Sequence, residues 1–281
     1  MRKCYFLCNK KICISAEYFP EDNALWQMFE SDDDGADISI TCIKRDELPE
    51  PSGELVSACD GVSVYSKDSQ LTRYEKMGTD SGSSTVFTAG DVVCSKTEIV
   101  SRNYNVLMDS RYMWSTVSLG RLLLEKKALL FHASYIRYQG EGIIFSAPCG
   151  TGKSTQASLW EKYEGADVIN GDKAGISVEE DGVYVHGLPF CGTSNICHNV
   201  SSPLRAIVLL SQAKENTVVP VRGAAALQML MDNIYLDYIA PDERAKCVDV
   251  LIDILGRVPV YHLACTPDAD AVSVLKKAVF G

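Results

Sequence analysis

Ile143-Ile144-Phe145-Ser146-Ala147-Pro148-Cys149-Gly150-Thr151-Gly152-Lys153-Ser154-Thr155 is the stretch whose reading decides the fold. Its apolar start reads as a buried strand, its Pro and Gly residues as a turn, and the following Gln156, Ala157, Leu159 and Trp160 as a helix. A strand feeding a glycine-rich loop that opens a helix aims several backbone N–H groups, and the positive helix end, at one point. Such a point suits a polyphosphate. Lys153 adds a compact charge between the outer phosphates, and the Ser154 hydroxyl is a ligand for magnesium. The Gly-Lys-Ser triplet alone is weak, since it would arise by chance in roughly one chain in ten of this size. Gly150, the strand before and the helix after make it specific. Ala147 stands where the G-x-x-x-x-G-K-S/T pattern has its first glycine, a substitution that costs something only if the site needs a positive φ.

Working outward, phosphoryl chemistry needs a carboxylate to hold the metal and to orient the attacking hydroxyl. The candidate is Asp172, in Asp167-Val168-Ile169-Asn170-Gly171-Asp172-Lys173, one tight turn after a short strand. An ordinary Asn-Gly-Asp turn is the competing explanation. His132 lies on the strand Leu129-Leu130-Phe131-His132-Ala133 before the loop strand, where it would reach the phosphates if the two strands are neighbours. Ile176 and Val178 face Val183 and Val185 across Glu180-Asp181-Gly182 as a hairpin. Residues 205–210 read as another buried strand and residues 224–238 as a helix. A further helix starts at Pro241 and closes at Gly256, and Thr266-Pro267-Asp268 opens a last one. Arg137 and Arg205 are weaker candidates, because a lone Arg at a strand edge is usually solvated. Cys149 and Cys191 border the site but have no paired general base, so neither is read as a nucleophile.

Upstream, period-2 alternation, as in Ile38, Ile40 and Cys42, predicts half-buried antiparallel strands up to about residue 105. Residues 76–85 are the most loop-like stretch. From Arg111 the spacing of Met113, Val117, Leu123 and Leu124 predicts one helix ending at Lys126-Lys127.

The 281 residues carry 27 Lys+Arg against 37 Asp+Glu, a net charge of −10. That balance argues against nucleic acid or an anionic membrane as partner, since both are bound through clustered cations. No apolar run approaches the ~18 residues that cross a bilayer, and Lys10-Lys11 interrupts the N-terminal apolar run before it reaches leader length. Eleven cysteines, an odd number in a chain this long, predict reduced thiols and a cytoplasmic protein. Cys4, Cys8 and Cys13 are expected to be buried small hydrophobes.

These residues resemble the HPr kinase group of P-loop kinases, which is related in fold to phosphoenolpyruvate carboxykinase. The resemblance covers residues 129–281. It is carried by Phe131-His132-Ala133, the loop residues 147–155, Asn170-Gly171-Asp172-Lys173, Gly187-Leu188-Pro189-Phe190-Cys191-Gly192-Thr193 and the strand residues 206–210. It implies that His132, Lys153, Ser154 and Asp172 form the site, and that residues 187–195 make contacts on the acceptor side. The family acid is usually a double Asp, and here Gly171 replaces the first. Its acid-x-Arg-Gly segment is here Tyr184-Val185-His186-Gly187. The chain thus looks like a divergent HPr kinase-like protein, one acting on other hydroxyls.

The reading as a whole is an α/β protein: a smaller β-rich N-terminal domain over residues 1–110, and a P-loop core of mixed sheet with flanking helices over residues 111–281. Its expected activity is transfer of the γ-phosphoryl group of ATP, with Mg2+, to a hydroxyl of a small molecule or peptide. Cys149, Gly150, Thr151, Gly152, Lys153, Ser154 and Thr155 would hold the nucleotide, Ser154 and Asp172 the metal, and Asp172, Lys153 and His132 would be catalytic. The alternatives are a nucleotide-binding regulatory module without transfer and a carboxykinase-like enzyme. The resemblance also implies a homo-oligomer.

Overall fold

A computed structural model describes all residues except 20–23, 33, 60, 69, 77–81, 89–90, 110 and 237–240. The protein is α/β, with two mixed sheets and several helices, and divides into two units, Met1–Lys126 with Leu236–Lys246, and Lys127–Tyr235 with Cys247–Gly281.

The first unit holds an eight-stranded sheet in the order Arg2–Leu7, Lys10–Ser15, Ile38–Arg45, Val93–Val100, Gly82–Thr88, Gln70–Lys76, Val62–Lys67, Glu54–Cys59. It is not wholly antiparallel: Ile38–Arg45 runs parallel to both of its neighbours. Alternation reports which face is buried but not strand direction. Of the expected loop at residues 76–85, Gly82 onward is strand and Lys76 ends a strand, while residues 77–81 lie outside the described residues. The expected helix from Arg111 is broken into Met113–Thr116 and Leu119–Leu124, because Ser118 between them sits at φ +53.

The cysteine expectation also needs correction. Cys4 and Cys13 form a disulfide across the first hairpin, directly opposite each other in register. The turn residues Cys8 and Asn9 both have positive φ, the geometry of a two-residue hairpin turn, and this sets the pairing that brings the two sulfurs together. Cys4, Cys8 and Cys13 are buried as expected. Among the described residues no helix is long and apolar enough to cross a membrane.

The second unit is built on two long strands, each with several partners. Ala128–Tyr138 pairs along one edge with Asp167–Asn170 and then Lys173–Val178, and from Ala133 onward along the other with Glu141–Ser146. Ser201–Gln212 pairs at its start with Val183–His186, then runs parallel to Glu141–Ser146 and to Val260–Cys265. The Gln139-Gly140 turn between the first two has positive φ at both residues. The hairpin at Gly182 forms in the expected register, Ile176 opposite Val185. Behind the loop strand Trp160, Phe145, Val208 and Leu275 form an apolar core. Burying side chains of this size stabilises by about 2 kcal/mol each.

Two helix ends differ from expectation. The helix that begins at Gly223 ends at Met231, since Ile234 bridges Phe131 and the Tyr235 N–H donates to the Leu130 carbonyl (2.8 Å), while residues 237–238 of the expected helix lie outside the described residues. Gly256 lies inside the helix Pro241–Arg257 rather than closing it. The last helix, Ala269–Phe280, starts two residues after Pro267 rather than at it: Asp268 is extended and caps it, its carboxylate accepting from the Ala271 N–H.

Candidate functional site

The strand Glu141–Ser146 ends in the loop, and the helix Lys153–Glu164 begins directly after it. Gly150 and Gly152 have φ of +76° and +116°, conformations only glycine adopts without strain, and a Cβ on either would meet nothing within 4 Å. The surface over the loop is thus open. Ala147 is buried and is not among the positive-φ residues, so alanine fits the position where the motif has its first glycine.

Lys153 is only 7% exposed, and its ammonium donates to the carbonyls of Ala147 (2.9 Å) and Pro148 (3.3 Å). Burial lowers its pKa, opposed by the negative charge of Asp172. The Ser134 hydroxyl donates to the Lys153 carbonyl (3.0 Å), which fixes the first helical turn against the neighbouring strand.

Asp172 stands in the break between Asp167–Asn170 and Lys173–Val178, which pair in turn with Ala128–Tyr138. Its carbonyl accepts from the Ala133 N–H (3.0 Å), and its carboxylate lies 3.3 Å from His132 Nε2 and 2.6 Å from Lys173 Nζ. The Ser154 hydroxyl donates to the carbonyl of the adjacent Gly171 (3.2 Å). The structure therefore brings His132, Lys153, Ser154 and Asp172 together. Arg137 and Arg205 are elsewhere, on Asp167 and on the Val279 carbonyl. Burial would raise the Asp172 pKa, but the hydrogen bond and charge of Lys173, with His132 and Lys153 behind it, hold it below the usual carboxylate range. Burial and the Lys153 charge push His132 below the usual histidine range.

Several residues that hold this arrangement were not legible as functional. Asn170 is fully buried: its carboxamide donates to the Leu188 and Phe190 carbonyls (3.0 and 3.3 Å) and accepts from the Asp172 and Lys173 N–H groups (3.0 and 2.9 Å). Acceptance from the residues two and three ahead is the signature of an Asx turn, and Asn170-Gly171-Asp172 carries that signal. Lys173, the last residue of that stretch, carries no sequence signal of its pairing with Asp172. Tyr235, 5.8 Å from the His132 ring and under the Lys173 ammonium, gave no local signal. Burial, then the charges of Asp172 and Cys149, raise its phenol pKa.

The segment after His186 does border Asp172. Gly192 has φ +57, and a Cβ there would come within 2.8 Å of the Asp172 carboxyl carbon. At Gly171 a Cβ would lie 2.3 Å from Ser194 Oγ, so Ser194 fills the space a first Asp would need. His186 is buried between the Ser177 and Ser201 hydroxyls (2.9 and 2.7 Å) and is structural. Cys149 is exposed and Cys191 buried, with burial raising the Cys191 pKa, which disfavours a thiolate.

The donor types fit the groups expected from sequence. Hydroxyl and carboxylate oxygens at Ser154 and Asp172 suit a hard divalent cation, and a glycine loop open to solvent beside an ammonium suits phosphates. Among the described residues no group of three or more His, Cys, Asp or Glu forms a candidate metal cluster.

No curated protein matches the chain. A solved structure of the Hpr(Ser) kinase/phosphatase from Coxiella burnetii is similar over 53% of this chain and 95% of that chain, at 8% identity and a TM-score of 0.32, too slight a likeness to argue from. Residues 92–279 match the family model described as SynChlorMet cassette protein ScmC. That span takes in the loop, Asp172 and most of the chain, and the protein belongs to the ScmC family.

Proposed function

We propose that this protein is a nucleoside-triphosphate-dependent phosphotransferase acting on a hydroxyl of a small molecule or peptide. The observation that carries this reading is the convergence of Lys153, Ser154, Asp172 and His132 at the mouth of an open glycine loop. Backbone N–H groups from Cys149 to Lys153 hold the phosphates. Lys153 exchanges its two carbonyl partners for phosphate oxygens, gaining a full counter-charge for a buried ammonium. Ser154 and Asp172 would hold a magnesium ion, which when bound would supply charge to offset the phosphates. Asp172, kept ionised by Lys173, orients the acceptor hydroxyl. His132, kept neutral, accepts the proton that hydroxyl releases.

One observation favours the regulatory alternative: the Lys173 ammonium, 2.6 Å from Asp172, already supplies a counter-cation to the acid. Both readings are separated by incubating γ-labelled ATP with a panel of hydroxyl metabolites and peptides. Asp172→Asn is expected to keep ATP binding through the loop and Lys153, weakened only through the metal, and to cut transfer by about 10²- to 10⁴-fold. Lys153→Ala is expected to weaken both. If ATP binds, no acceptor gains label and Asp172→Asn changes nothing measurable, the phosphotransferase reading fails.

A further inference from the structure

Asp172 is the acid assigned to the metal, yet both of its oxygens already face a nitrogen: Oδ1 lies 3.3 Å from His132 Nε2 and Oδ2 lies 2.6 Å from Lys173 Nζ. The Lys173 side chain is only 12% exposed, and its ammonium also lies over the Tyr235 ring, 5.1 Å from the centroid. That ring is carried by a fixed backbone. The Tyr235 N–H donates to the Leu130 carbonyl and the His132 N–H to the Asn233 carbonyl, both at 2.8 Å. The ammonium is thus packed against acid and ring, a placement that a solvated surface lysine does not have. Lys153, on the carbonyls of Ala147 and Pro148, is the second ammonium of this corner. Two ammonium groups therefore face one carboxylate. A divalent cation arriving alone must displace Lys173 from Oδ2 and add its charge to a corner already cationic, and the affinity of a hard-cation site follows the charge of its ligands. A triphosphate reverses that balance, because its oxygens supply negative charge to the lysines and to the metal alike.

We infer that Lys173 holds the metal's place on Asp172, so that a divalent cation binds this protein only in company with the triphosphate. The inference rests on the phosphate-loop reading above and deepens it. Lys173 is then a positioning residue acting through Asp172: it keeps the carboxylate in place before the nucleotide arrives and bars free cation from it. Replacing the ammonium by a neutral side chain relieves that exclusion. A unit charge at this range changes the equilibrium of a neighbouring unit charge by about ten- to a thousandfold. A divalent cation feels the same field twice over, so the expected gain in affinity is about tenfold or more.

Electron paramagnetic resonance counts unbound Mn2+, a stand-in for magnesium, and reads this without any turnover. In the absence of nucleotide, Lys173→Met is expected to bind Mn2+ about tenfold or more tighter than the unmodified protein, and Lys173→Gln serves if the Met variant does not fold. Lys173→Arg, which keeps the charge, should bind as the unmodified protein does. Adding Asp172→Asn to Lys173→Met should abolish the gain, which places it at the acid. No gain in either neutral variant, an equal gain in Lys173→Arg, or a gain that survives Asp172→Asn overturns the role of Lys173. The manganese complex of ATP separates this from the underlying reading. If the unmodified protein binds that complex and the neutral variants show no gain for free Mn2+, only this inference fails. If the complex does not bind, the phosphate-loop reading falls and this inference falls with it.

Discussion

The sheet of the first unit buries Ser83, Ser84, Ser95 and Arg73, and among the described residues the three hydroxyls and Arg73 Nε have no hydrogen-bond partner. The sheet of the second unit buries Ser134, Ser146, Asn170, Ser177 and Ser202, and each is hydrogen-bonded. Its exceptions are Gln156 Oε1 and Trp160 Nε1. Polar groups cost free energy to bury unless they are paired. In the second unit the pairs run from Ser134, Ser146 and Asn170 to Lys153, His132 and Asp172, so the polar interior organises the loop and the acid. In the first unit the buried groups that are paired, Thr85 with Thr97 and Glu98 with Arg45, join neighbouring strands to one another.

This difference can be attacked directly. Asn170→Ala removes four hydrogen bonds at once and should destabilise the second unit by about 3 kcal/mol in urea unfolding; a change near zero would mean the network is not what holds Asp172. Reduction of Cys4–Cys13, which closes a loop of sequence separation 9, should cost the first unit about 2–3 kcal/mol. Single-tryptophan variants retaining Trp26 or Trp160 would report the two units separately, and an equal shift at Trp160 would contradict the division. The smallest effect is expected for Ser84→Ala. Deleting an unpaired buried hydroxyl should be neutral or stabilise by up to about 1 kcal/mol, and a loss comparable with that of Asn170→Ala would erase the contrast between the sheets.

What the sequence made legible was local. The strand, glycine loop and helix at residues 141–164 and the hairpin at Gly182 each depend on neighbours within a few positions, and each formed where expected. The disulfide was within reach of the same reasoning: once Cys8 and Asn9 are read as a two-residue turn, Cys4 falls opposite Cys13. Strand direction at Ile38–Arg45 was not legible, because a partner 55 residues away leaves no periodic trace. Nor was the approach of Ser194 to Gly171, or of Tyr235 to His132, each a contact between segments that no local pattern links. The termination at Met231 is the same lesson seen from the helix: its continuing apolar pattern is claimed by pairing with the strand at Phe131.

Asp172, held between Lys153, Lys173 and His132, has one further consequence. A single carboxylate facing two ammonium groups makes this corner locally cationic in a chain whose net charge is −10. A free anion is repelled by the protein's overall field before it meets those lysines, and only inside about 8 Å at physiological ionic strength does the local attraction take over. Capture is therefore short-ranged: added salt should weaken the final hold and ease the approach, and a ligand arriving with its charge already part-neutralised by a chelated cation has the smaller barrier to entry.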